Sequence, residues 1–148
     1  MKIYLDNCCF NRPYDEPSHE TIILETHAKI FIQKSVKDAR IELLWSFILE
    51  FENSENPYED QVLAISDWKD IAVEMIIASG TIRDRAKKYV KIGLKPKDSL
   101  HLSCAIEGNA DYLVTTDQRF IKKCAEMKEI KVLNPIELVY IIEKEGKK

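Results

Sequence analysis

At 148 residues, with 45% hydrophobic and 32% charged residues and only 4 Gly and 5 Pro, the chain suits one packed, helix-rich domain over 1–148. This excludes disorder, a fibrous repeat or two comfortable domains. A net charge of −3 excludes a globally basic polyanion binder, so any nucleic-acid contact must be local and metal-bridged. No segment is apolar enough to span a bilayer, and the start, one Lys then Ile-Tyr-Leu and at once Asp6, has neither a signal-peptide core nor a transit-peptide pattern. The expectation is a cytoplasmic protein without membrane contact.

Lys2-Ile-Tyr-Leu-Asp6 reads as a short buried strand that delivers one carboxylate to its carboxyl end, where open α/β sheets keep their ligand sites. The turn formers from Asn7 to Asp15 predict a loop over that end. Helical spacing of Ile22, Ile23, His27, Ala28, Ile30 and Phe31 predicts a helix from Ser18 or His19 to about Ser35. Ile41 to Trp45 reads as a second strand, and Ser46 is placed to cap a helix carrying Phe47, Ile48 and Phe51, broken at Asn53 to Pro57. A helix follows from about Tyr58 to Met75, with Val62, Ile65, Trp68, Ala72 and Met75 on one face.

Ile76-Ile77-Ala78 reads as a short edge strand closed by Ser79-Gly80. Thr81 opens a helix to about Ile92 that Gly93 caps, and Pro96 opens another that Gly108-Asn109 stops. Asp111 to Thr116 reads as a buried strand leading into Asp117, which repeats the strand-end placement of Asp6. Gln118 to about Met127 is helical, Ile130 to Leu133 is a last strand, and Pro135 opens a terminal helix. Alternating strands and helices predict an α/β fold with a central, mainly parallel sheet of four to five strands covered on both faces.

Four carboxylates stand at strand ends or on helices nearby: Asp6, Glu52, Asp98 and Asp117. Hard oxygen ligands of this kind suit Mg²⁺ or Mn²⁺, which resolves their mutual repulsion and activates water for attack on a phosphodiester. Glu50 rivals Glu52, but two residues turn a helix by about 200°, so both cannot face one cleft. His101, three positions after Asp98, reads as a buried, hydrogen-bonded structural histidine within reach of the cleft. Thr115 and Thr116 are placed to bond a water or phosphate near Asp117. Arg12, Lys97, Arg119, Lys122 and Lys123 are the candidates for phosphate contacts, with Arg12, Thr116, Arg119 and Lys122 the leading substrate-binding set. Cys8, Cys9, Cys104 and Cys124 lack C-x-x-C spacing and read as reduced thiols.

Ile3-Tyr4-Leu5-Asp6, Ser46-Phe-Ile-Leu-Glu-Phe-Glu52, Lys97-Asp98-Ser-Leu-His-Leu-Ser-Cys-Ala105 and Ala110-Asp-Tyr-Leu-Val-Thr-Thr-Asp117-Gln-Arg-Phe120 together resemble a PIN-domain protein over residues 2 to about 138. The subgroup most similar is the VapC-like ribonuclease toxins of type II toxin-antitoxin modules. The resemblance implies a three-layer α/β/α sandwich and a Mg²⁺- or Mn²⁺-dependent endoribonuclease acting on RNA. It also implies a cognate antitoxin as partner and, often, a homodimer. It assigns Asp6, Glu52, Asp98 and Asp117 to the metal and catalytic site. The chain departs from the pattern at Cys8, where many relatives place a small hydroxyl residue. Two other readings compete: a non-catalytic PIN scaffold that binds RNA or protein, and a phosphoacceptor signalling domain. The second needs paired acids at the first strand end and a lysine at the last, and Asp6-Asn7 and Asn134-Pro135 supply neither.

Overall fold

The computed structural model describes residues 1–11 and 19–146. Its centre is β1 (Lys2–Leu5), whose Ile3, Tyr4 and Leu5 are fully buried, as a strand covered on both faces must be. β1 pairs with β2 (Glu42–Ser46) on one side and β4 (Tyr112–Val114) on the other; β3 (Glu74–Ile76) and β5 (Lys131–Leu133) form the edges. All four pairings are parallel, in the order β3-β2-β1-β4-β5. Eight helices among the described residues flank this sheet in a three-layer α/β/α arrangement.

The strand order dictates where a site can form. From β1 the chain winds outward through β2 to β3, then crosses back to continue through β4 and β5 on the opposite side. The direction reverses between β1 and β4, and the crevice beyond their carboxyl ends is where such sheets bind ligands. Asp6 follows β1 directly, and Asp117 lies three residues past β4. Register carries the two strand ends side by side, with Leu5 opposite Val114 and the Asp6 N–H donating to the Val114 carbonyl at 2.9 Å.

Several expectations are corrected by long-range bonding. The loop after Asp6 begins instead as a helical turn, α1 (Cys8–Asn11), because the Cys9 N–H finds the Asp6 carbonyl and Phe10 is buried against Trp45 and Trp68. Arg12 and the rest of that predicted loop lie outside the described residues. α2 (Glu20–Lys37) is the first long helix, but its inward face is Ala28, Ile32 and Val36 rather than the predicted stripe. Ile23 and Ile30 point to solvent, and Glu25 and Lys29 are buried through partners on other elements.

α3 (Phe47–Ser54) starts at the Ser46 cap as expected. α4 (Glu59–Ile71) stops short of Met75: Ala72 is extended and the Val73 N–H donates to the Leu43 carbonyl, which pulls the chain into edge strand β3 two residues earlier than predicted. α5 (Gly80–Lys91) and α6 (Pro96–Glu107) pack closely against each other, and α2 packs on α8 (Pro135–Gly146). α7 (Gln118–Lys123) is shorter than the predicted run to Met127, giving way to tight turns at Cys124.

Candidate metal centre

Asp6 is held before anything binds it. Its Oδ1 accepts from the Asn7 N–H at 2.8 Å and its Oδ2 from the Thr115 hydroxyl at 2.8 Å. Thr115 Oγ1 also accepts from the Asp117 N–H at 3.1 Å, so one buried hydroxyl ties together the two strand-end acids. The α1 turn beneath Asp6 is clamped from α2: Lys29 Nζ donates to the Cys8 carbonyl and Gln33 Nε2 to the Cys9 carbonyl, each at 3.0 Å. Lys29 is only 1% exposed, a full charge committed to fixing this turn.

Glu52 comes from α3. The helix turns Glu52 towards Asp6 and swings Glu50 away to an ion pair with Lys69 on α4, as the rotation between the two positions requires. His101 comes from α6. Its Nε2 contacts Glu52 Oε1 in a short hydrogen bond and lies 3.5 Å from Asp6 Oδ1. Asp6, Glu52 and His101 thus offer ligand-type atoms all within 4.8 Å of one another. His101 Nδ1 meets the Tyr4 hydroxyl at 2.6 Å, and that hydroxyl meets Ser46 Oγ at 2.6 Å.

Asp98, in the first turn of α6, lines the same cleft as Asp6 and Glu52, an opening of about 660 Å³ with Lys95 and Lys97 at its edge. Burial pushes the Asp98 carboxyl up to about 6, and the Asp6 and Asp117 charges add to the shift against the opposing pull of His101 and Lys95. Asp117 is not among the residues that line the cleft; its Oδ1 caps α7 by accepting from the Arg119 N–H at 2.9 Å and the Phe120 N–H at 3.2 Å. Burial disfavours the charged form of His101, but the hydrogen bond to Glu52 and the Asp6, Glu52 and Asp98 charges outweigh it, and its pKa is raised.

The other predicted contacts scatter. Arg119 and Lys122 are exposed on α7, free of the cleft, whereas Lys123 is tied to the Gly93 carbonyl. Thr116 is half-buried, its hydroxyl donating to Sγ of the cleft-lining Cys8 at 3.3 Å, and Lys97, also in the cleft lining, has its ammonium over the Phe51 ring. Cys8 replaces the hydroxyl that the resemblance led one to expect, with its sulfur 3.8 Å from Asp6 Oδ2. Sequence reasoning missed Tyr4, which reads only as core, and underrated His101, whose burial is as expected but whose ring also reaches two of the acids. The signal for His101 was its spacing of three from Asp98, one helical turn.

The donor set fits a hard divalent cation. The Asp6 and Asp117 charges add to burial in raising Asp98, so like charges oppose one another here. Asn7 Oδ1, in a residue of the cleft lining, is a buried acceptor without a hydrogen-bond partner.

Comparison with known proteins agrees with the fold. The family described as PIN domain matches residues 3–126. Among solved structures, a chain of VapBC2 from Rickettsia felis bound to a promoter DNA fragment aligns with a TM-score of 0.55 at 17% identity, covering 90% of this chain and 98% of that one. A chain of DNA-bound VapBC from Salmonella typhimurium aligns with a TM-score of 0.57 at 11% identity, covering 91% and 98%. No curated protein matches by sequence. No helix among the described residues is long and apolar enough to cross a membrane.

Proposed function

The chain belongs to the PIN-domain family, whose members are generally nucleases, and from that we propose that it is a Mg²⁺- or Mn²⁺-dependent endoribonuclease acting as the toxin of a toxin-antitoxin pair. One observation carries the reading: Asp6, Glu52 and Asp98 line one cleft at the reversal point of the sheet, where Asp98 is raised to about 6 first by burial and further by the Asp6 and Asp117 charges. Asp6, Glu52, Asp98 and Asp117 are the residues that would hold the cation. When bound, the cation supplies a water of lowered pKa and neutralises charge on the phosphate. The chain's own groups do the rest. Thr115 keeps Asp6 aimed and ties it to the Asp117 backbone, α7 holds one oxygen of Asp117, and the Lys95 and Lys97 ammonium groups offer phosphate contacts. Arg119, Lys122, Thr116 and Arg12 extend the proposed RNA contacts, Arg119 and Lys122 from the exposed face of α7.

The antitoxin and the homodimer belong to the same proposal. The two solved structures with this fold are VapBC assemblies, which supports a protein partner of that kind. Co-purification with the product of an adjacent small reading frame, followed by mass measurement in solution, tests both.

The test of activity is cleavage of a labelled RNA panel in Mg²⁺, Mn²⁺ or EDTA by the wild-type protein and by Asp6→Asn and Asp117→Asn. The expected outcome is metal-dependent cutting that each substitution lowers by at least about 100-fold, several kcal/mol of charge stabilisation. Cutting that survives both substitutions points to a contaminant. RNA bound but uncut by the wild-type protein supports the non-catalytic scaffold instead.

A further inference from the structure

The four-acid reading leaves unused a buried line of side chains that ends on one of those acids. Ser46 Oγ lies 2.6 Å from Tyr4 Oη and Tyr4 Oη 2.6 Å from His101 Nδ1, and across the ring His101 Nε2 meets Glu52 Oε1 in a short hydrogen bond. They come from β2, β1, α6 and α3, so nothing in local sequence forces the alignment. Tyr4 and Ser46 are fully buried and His101 is 1% exposed, which makes each unpaired polar atom costly.

The protons can be placed. Ser46 Oγ already accepts the Leu49 N–H at 3.2 Å as the cap of α3, which leaves its own hydrogen for a neighbour. Given to Tyr4 Oη, it sends the phenolic hydrogen on to the bare Nδ1 of a neutral His101; in the ring protonated on both nitrogens Nδ1–H donates to Tyr4 Oη and the phenol to Ser46, and in both cases the hydrogen on Nε2 is the same. Nε2 therefore carries the hydrogen and donates it to Glu52 Oε1. In the reverse order a bare Nε2 faces Glu52 and, at 3.5 Å, Asp6, lone pair against carboxylate. Position argues the same way. Asp6, Glu52 and Asp98 line the cleft, and His101 stands behind them, outside the lining.

We propose that His101 is a positioning residue of the cation site and not one of its ligands: Nε2–H fixes Glu52 Oε1 so that the other carboxylate oxygen faces the cleft, with the ring held in place by Tyr4 and Ser46. This rests on the cation site proposed above. Metal-site residues held by such outer partners lose affinity when the partner goes, even though it never touches the ion.

The experiment is Mn²⁺ binding by calorimetry, with electron spin-echo spectra of the bound ion, on the full chain and on His101→Leu, His101→Gln, Tyr4→Phe and Glu52→Gln. Thermal unfolding in EDTA confirms that each variant is folded. The expected result is no directly coordinated imidazole nitrogen in the wild-type spectrum and Mn²⁺ affinity lowered about 10- to 100-fold in His101→Leu. Recovery of most of that loss is expected in His101→Gln, whose amide still donates, and a smaller loss in Tyr4→Phe. Combining His101→Leu with Glu52→Gln gives less than the summed effect, because both act through one carboxylate. A nitrogen coupling that His101→Gln abolishes overturns the proposal by making His101 a ligand. Wild-type affinity in both His101→Leu and Tyr4→Phe overturns it by leaving the line without a role. If His101→Leu does not fold, the glutamine and phenylalanine variants decide alone. Wild-type protein that binds no Mn²⁺ sinks the cation site itself, a result distinct from either.

Discussion

Asp98 is the residue whose environment most directly predicts a measurable effect. Its carboxyl, raised to about 6 by burial and by Asp6 and Asp117, binds a proton in the folded state at pH values where the unfolded chain has released it. Between about pH 4, the ordinary carboxylate value, and the folded value, the native state holds more protons, so stability falls as pH rises through that window and stays low above it. Without a metal, Asp98→Asn should therefore unfold at a higher temperature than wild type at pH 7, by about 1 kcal/mol after allowing for solvent screening at this half-buried site. The difference should vanish near pH 4. Thermal unfolding in EDTA at several pH values measures this, and added Mn²⁺ should invert the order by stabilising only the protein with all its acids.

A second residue-scale contrast separates two neighbours. Glu50→Gln should leave Mn²⁺ affinity and the unfolding temperature unchanged, since Glu50 is engaged with Lys69 at the surface, whereas Glu52→Gln should weaken Mn²⁺ binding; titration of both variants side by side decides it. That contrast was legible in the chain as a matter of helical rotation. The hydrogen bond from His101 to Tyr4 was not, because the partners lie 97 residues apart and meet only when α6 is laid against β1.

The elements show where local rules gave way. Apolar spacing continued α4 smoothly to Met75, yet the chain leaves the helix at Ala72 because the Leu43 carbonyl of β2 captures the Val73 N–H and docks β3 beside it. On α2, apolar residues occupy more than one face, and periodicity could not say which would be covered. The buried pair Glu25 to Asn134, at 2.5 Å, and Lys29 to Cys8 settle the rotation through groups that pattern analysis counts as solvent-facing. Gly108 makes the end of α6 equally specific. A Cβ there would stand 2.5 Å from Leu44 Cδ1 and 3.0 Å from Ile76 Cδ1, both buried. Gly108→Ala should cost about 1–3 kcal/mol through overpacking, read as a lower denaturant midpoint with an unchanged slope.

At the level of the whole molecule, the alternation of strands and helices sufficed for a parallel sheet with two helical layers, and the sheet has the upper number of strands expected. The order of the strands lay beyond periodicity, since nothing in the spacing of apolar residues says that the first strand will lie in the middle. That placement also governs when the protein becomes itself. During synthesis β1 emerges first, but its neighbours arrive some 40 and 110 residues later, and the last of the four candidate acids is at position 117. The ribosome thus exports each piece of the cleft separately, and no shorter nascent chain holds all of them. A site assembled this way is absent through most of the chain's own translation, and it forms only when the fourth strand closes against the first.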